Sequence, residues 1–287
     1  VYMFHAAGET QRHVSHMEWW MGCLHNTVIR DPDTDLAHQI GRHFVSETDF
    51  GPLYFNDANL IDLYAKRGEI IEYALRENGE EIDYIFRETA DGNRPIRIGV
   101  IANHFTPHPE TFATLPIYEH LGPEFSTILY TFGQSGSEIE RYCMSRAESL
   151  KLLPATLRDQ VRLIRDDDLD IAFFATNITS SVSPICLLAA HRLARKQMAG
   201  SGSVTTTGVR KMAYYMTGRL SDEPGNEAHY TEKLAWLSGT AHCFSYGHSL
   251  HREPTTVTRR QFGISSETLV YVSGANMLKI SPELAEA

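Results

Sequence analysis

Cysteine is scarce: four residues in 287, Cys23, Cys143, Cys186 and Cys243, with no CxxC pair among them. That rules out a disulfide framework and leaves reduced thiols, the usage expected of a cytoplasmic protein. No apolar run approaches the ~20 residues needed to span a bilayer, so no membrane span is expected. No concentrated basic run occurs either, and the formal net charge is −10. Nucleic acid is therefore excluded as a partner, because phosphate binding needs clustered positive charge. The chain also lacks GxGxxG and GK[ST], the dinucleotide and P-loop fingerprints. No 34-residue self-similarity shows, which excludes a tetratricopeptide array. It opens Val1-Tyr2-Met3-Phe4 and closes in a stretch that reads as the start of a helix, so a piece of a longer protein is expected.

What is present is an ordinary globular composition, 42% hydrophobic and 22% charged, with ample chain for a large core. Residues 1–92 read as a helical region. Leu60, Leu63, Tyr64, Ile70, Ile71, Tyr73, Ala74 and Leu75 recur there at helical spacing. From Ile96 the pattern becomes strand, helix, strand, helix. Strands are predicted over 96–102, 126–132, 150–153, 171–175, 196–199 and 212–216. Helices are predicted between them over 111–120, 137–149, 156–166 and 184–194. Alternation on this scale implies a parallel sheet wound on both faces, a Rossmann-like α/β domain over 93–255. A second unit is predicted to begin at 256–287, with a strand over 268–272.

The stretch that organises the chain is IRIGVIANHFTPHPE, 96–110, where a buried strand hands over to a helix through two prolines and two histidines. Ligands of open α/β sheets bind at such strand ends. His108 sits between Pro107 and Pro109, which stiffen its backbone, and imidazole titrates near neutral pH. The loop 200–208, GSGSVTTTG, follows another strand and is rich in glycines and hydroxyls that can approach sugar or phosphate oxygens. A structural histidine and an ordinary connector are the competing readings. Two histidine sets, His5, His13 and His16, and His242, Cys243, His248 and His251, match no structural zinc spacing, and no metal is expected.

Five stretches, in order, resemble the O-GlcNAc transferases and their bacterial relatives, including cytoplasmic N-glycosyltransferases. Arg97-Ile98-Gly99-Val100-Ile101 with Phe105 and His108-Pro109 resembles the family's first strand and its Asn-His-Pro loop. Asp167-Asp168-Leu169-Asp170-Ile171 running to Asn177-Ile178-Thr179 is similar to a later strand and its Asn/Gly-x-Thr loop. Leu193-Ala194-Arg195-Lys196-Gln197, with Gly202 and Thr205-Thr206-Thr207-Gly208, resembles the Ala-Pro-Ile-Gln strand and the loop that touches sugar and acceptor. Tyr230-Thr231-Glu232-Lys233-Leu234 looks like the Ser-Glu-Lys-Leu segment. Leu269-Val270-Tyr271 with Asn276-Met277-Leu278-Lys279 resembles the start of the second Rossmann domain. Leu278 stands where the family has Tyr, and Ser203-Val204 where it has Tyr-Pro.

The resemblance implies a GT-B fold made of a helical N-terminal segment, one complete Rossmann-like domain and the beginning of a second, UDP-binding one. It implies transfer of GlcNAc or a hexose, with inversion, from a UDP-sugar to a protein or peptide acceptor. No cofactor or metal is implied. His108 would serve the acceptor and Lys279 the departing diphosphate. Asn177, Thr179, Gln197, Gly202, Thr205, Thr206 and Asn276 would contact donor or acceptor. Two other readings stay open: another Rossmann nucleotide-dependent enzyme, and a non-catalytic, partner-binding remnant of the fold.

Overall fold

The computed structural model describes residues 4–87, 94–200, 202–247, 256–272, 274 and 281–282. Three helices come first: α1 (Glu9–Arg30), α2 (Asp35–Glu47) and α3 (Ile61–Glu77). Then strands and helices alternate: β1 (Ile96–Ala102), α4 (Pro109–Tyr118), β2 (Phe125–Thr131), α5 (Glu138–Ser145), β3 (Ser149–Leu152), α6 (Leu157–Asp166), β4 (Ile171–Phe174), α7 (Pro184–Ala189), β5 (Lys196–Ala199), β6 (Tyr214–Gly218) and β7 (Lys233–Leu237). The strands form one seven-stranded sheet in the order β3-β2-β1-β4-β5-β6-β7. Every pairing in it is parallel. The α/β expectation holds. The order reverses between β1 and β4, and the crevice at their carboxyl ends is where such sheets hold ligands.

Alternation along the strands divides two apolar layers. Ile98, Val100, Leu129 and Phe173 pack under α4 and α5 with Leu115, Tyr118, Ile139 and Cys143. Ile101, Ile128, Tyr130, Ala172 and Phe174 point the other way, into a cluster shared by α6, α7 and the three N-terminal helices. Side chains on both faces of a strand are thus buried, which explains its near-continuous apolar run.

Helix starts follow local chemistry. Thr34, Ser137 and Thr156 each accept from a backbone N–H in the first turn of α2, α5 and α6, the usual N-cap arrangement. α4 starts two residues before the predicted 111, because His108 caps it and Pro109 occupies the first turn. The predicted helix over 184–194 stops at Ala189. Gln197 closes it there, accepting from the Leu193 N–H at 2.7 Å and donating to the Ala189 carbonyl at 3.1 Å. β7 was not predicted as a strand; it pairs with β6 over five residues. The strand predicted over 268–272 does not form. A strand exists only through a ladder, and none of these residues pairs with a described strand. Leu269, Tyr271 and Val272 are exposed.

The N-terminal helices are fixed to the sheet by backbone contact. A Cβ at Gly68 would lie 2.0 Å from the Gly208 carbonyl oxygen, and one at Gly208, with φ +65°, would lie 1.9 Å from the Tyr64 carbonyl oxygen. α3 and the loop after β5 therefore touch main chain to main chain. Gly68→Ala must separate them, and a loss of about 3 kcal/mol or more is expected, read as a lower urea midpoint.

His191, just past α7, is fully buried. Its Nδ1 donates to the Leu187 carbonyl at 2.9 Å, and its Nε2 has no partner among the described residues. Burial pushes its pKa down to about 4, against about 6.5 in an unfolded chain. The unfolded state then binds the extra proton as pH falls from about 6.5 towards about 4, so stability is complete above that window and lost within it. Urea unfolding at pH 7.5 and pH 5 should show roughly 2 kcal/mol of acid loss from this group, and His191→Gln should abolish that share.

Candidate functional site at the carboxyl edge of the sheet

The loops after β1, β4 and β5 meet at one edge. After β1 come His104, Thr106, His108 and Glu110. The His104 and His108 rings meet edge to face, centroids 5.0 Å apart. His104 Nδ1 lies 3.0 Å from the Thr106 hydroxyl. His108 Nδ1 accepts from the Glu110 N–H at 3.3 Å while 47% of its side chain stays exposed. It therefore caps a helix and still faces solvent. Glu110 reaches across the strand-order reversal, its Oε1 accepting from the Asn177 N–H at 3.2 Å. Its place in the first turn of α4 also suits the positive end of the helix dipole.

The loop after β4 is shaped by Asn177. Its Oδ1 accepts from the Thr179 N–H (2.8 Å), the Thr179 hydroxyl (2.9 Å) and the Ser180 N–H (3.2 Å). Its Nδ2 donates to the Tyr54 hydroxyl at 2.7 Å. Thr179 is fully buried, and its carbonyl accepts from Tyr64. This is an asparagine-organised turn, with both polar ends of the side chain engaged.

The loop after β5 is drawn in next. A Cβ on Gly202 would lie 2.6 Å from the Ala175 carbonyl oxygen, so glycine lets this loop press against the end of β4. Ser203 Oγ accepts from the Ile178 N–H at 3.2 Å. Thr205 is half-buried. Thr206 and Thr207 are buried against Glu232, which is itself only 5% exposed. The Glu232 carboxylate accepts from the Thr206 hydroxyl (2.8 Å), the Thr207 N–H (2.8 Å) and the Thr207 hydroxyl. Gln197 is fully buried in the α7 closure described above.

His108, Asn177, Thr179, Gly202, Thr205 and Thr206 thus stand on one edge, and of these polar side chains His108 is the one most open to solvent. Asn276 and Lys279 lie outside the described residues, as do Ser201, His248 and His251. Three groups that sequence reasoning did not single out are central here. Arg67 holds the loops from beneath, Tyr54 braces Asn177, and Glu232 organises the threonines. The signal for Arg67 was present, since it falls on the same helical stripe as Leu63, Tyr64, Ile70 and Ile71, where a charge is out of place.

Such a site, at the strand-order reversal of a parallel sheet, belongs to the Rossmann-like α/β class. No protein-family model matches the chain, and no curated protein matches it by sequence. Among solved structures it is similar to a lysine-to-methionine mutant of the Thermobaculum terrenum O-GlcNAc transferase, with a TM-score of 0.54 and 19% identity. The likeness covers 79% of this chain and 42% of that one, so the chain spans less than half the length of that enzyme. At this identity the likeness establishes a shared fold. No helix among the described residues is long and apolar enough to cross a membrane.

Glu232→Gln turns an amide N–H2 toward a cluster of donors. A loss of about 2 kcal/mol is expected, since buried groups forfeit their partners, measured as a drop in the urea midpoint with the helical circular dichroism signal retained.

Proposed function

We propose that the chain carries the acceptor-side half of a glycosyltransferase that moves GlcNAc or a hexose from a UDP-sugar to a protein side chain, with inversion. The observation that carries this reading is the position of His108: half-exposed, on the loop after β1 at the carboxyl edge where strand order reverses, in a fold shared with an O-GlcNAc transferase. In the reaction the acceptor atom attacks the anomeric carbon while the bond to the β-phosphate oxygen breaks. The acceptor proton passes to His108, and UDP leaves. Lys279 would neutralise the diphosphate, and Asn276 would lie beside it. Gly202 and Thr205, on the loop after β5, would line the sugar side. Asn177, Thr179, Gln197 and Thr206 would act by holding the loops in shape.

One observation favours a second reading, a non-catalytic partner-binding module. The side chains of Asn177, Gln197 and Thr206 are all engaged within the protein. Transfer from radiolabelled UDP-GlcNAc and UDP-hexoses to a peptide library, using the longest natural form of the protein, separates the two. His108→Ala is expected to lower kcat by about 10²–10⁴, the range for loss of a general base, and Lys279→Ala to lower it with the fold intact. Absence of turnover with every UDP-sugar selects the binding module.

A further inference from the structure

We propose that His104, His108 and Glu110 form a binding site for a borderline transition-metal ion such as Zn²⁺. One ring nitrogen from each imidazole and one carboxylate oxygen all lie within 4.8 Å of one another. His108 Nδ1 stands 4.0 Å from Glu110 Oε2. A tetrahedral ion about 2.0–2.2 Å from nitrogen and oxygen donors sets those donors about 3.4 Å apart, so the ligand atoms must close in, the farthest pair by roughly an ångström. The half-exposed His108 ring can turn to supply that, giving up its weak 3.3 Å bond to the Glu110 N–H. Two imidazoles and one carboxylate favour Zn²⁺, Fe²⁺, Co²⁺ or Ni²⁺ over Mg²⁺ or Ca²⁺, which prefer all-oxygen sites.

The supports that orient such ligands are already in place. Thr106 meets the His104 ring at 3.0 Å, and the Asn177 N–H holds the other oxygen of Glu110 at 3.2 Å. Metal sites depend on this kind of outer hydrogen bonding. The donors sit at the turn into α4 and its first turn, beside β4, so they are fixed by the sheet. With three protein donors, coordination positions remain open toward the crevice, suited to an anionic oxygen such as a carboxylate or phosphate. Sequence reasoning passed over the set because His104, His108 and Glu110 have no familiar zinc spacing; the turn after β1 brings them together.

The site does not depend on the transferase reading. If that reading also holds, Zn²⁺ occupies the same imidazole that would take the acceptor proton, so it inhibits transfer. The test is Zn²⁺ binding by competition with a chromophoric chelator, on the full chain, with Mg²⁺ as the control and no sugar present. One equivalent is expected to bind with an affinity that falls roughly 100-fold in His104→Ala and in Glu110→Gln. Glu110→Gln keeps an oxygen for the Asn177 N–H, so its fold is preserved, which circular dichroism verifies. Thr106→Val should weaken binding about 10-fold through the lost support of His104. Unchanged Zn²⁺ affinity in either ligand variant overturns the three-donor site, as does Mg²⁺ competing equally. Since no transfer is measured, failure here leaves the transferase proposal standing.

Discussion

The structure depends on one buried cation. Arg67 of α3 has no solvent exposure. Its Nη2 donates to the Ile178 carbonyl at 2.8 Å, to the Ser181 carbonyl at 3.0 Å and to the Cys186 sulfur at 3.1 Å. Its Nη1 reaches the Thr207 carbonyl at 3.5 Å, and the guanidinium lies over the rings of Phe50 and Tyr64. A buried charge is costly unless its donors find partners, and here both terminal nitrogens do, while Nε has none among the described residues. Here the satisfying oxygens come from the loops after β4 and β5. The cost of burying the charge is therefore offset only if both loops hold their shape, which couples the helical region to the edge where ligands would bind.

The polar residues at that edge divide into two kinds by how firmly their side chains are engaged. Asn177, Thr179, Gln197 and Thr206 are turned inward and make the loops what they are, through short bonds to backbone and to Glu232. His104, His108 and Glu110 face outward, connected to one another and to β4 by weaker bonds that chemistry could exchange. A low-dielectric interior strengthens the first kind and keeps it rigid. The second kind, with His108 the most exposed of the three, is held by bonds weak enough to be exchanged in proton transfer or ligation.

Much of the fold was legible because the sheet is parallel and covered on both faces. Apolar runs such as 96–102 and 171–174 announce buried strands, and the spacing between them leaves room only for crossovers. β1 and β5 fall where the pattern places them. The misses have local causes. α7 ends early because a single glutamine eight positions past Ala189 closes it, an interaction no periodicity records. β7 alternates weakly, as a sheet-edge strand with Lys233 and Leu237 exposed, so its pattern did not stand out. In the site, the strand-to-helix turn and His108 were visible from prolines and position. Glu110 and Glu232 were not, because a carboxylate reads as a surface residue until the fold supplies its partners.

The N-terminal helices illustrate why reading this region as a separate attachment would mislead. Beyond Arg67, buried Glu72 of α3 pairs with Arg210, and Lys211 pairs with Asp83, on the segment that leaves the threonine loop. The Gly68–Gly208 contact sits between these pairs and Arg67. Main-chain contact fixes distance, while the charges favour one register, because a shift by one turn would part Glu72 from Arg210 and leave Glu72 only its 3.7 Å pair with Arg76 of the same helix. The threonine loop is thus gripped on its far side by α3 and on its near side by Ala175 and Glu232. Its conformation follows from groups that touch no ligand, and so would that of the crevice it borders.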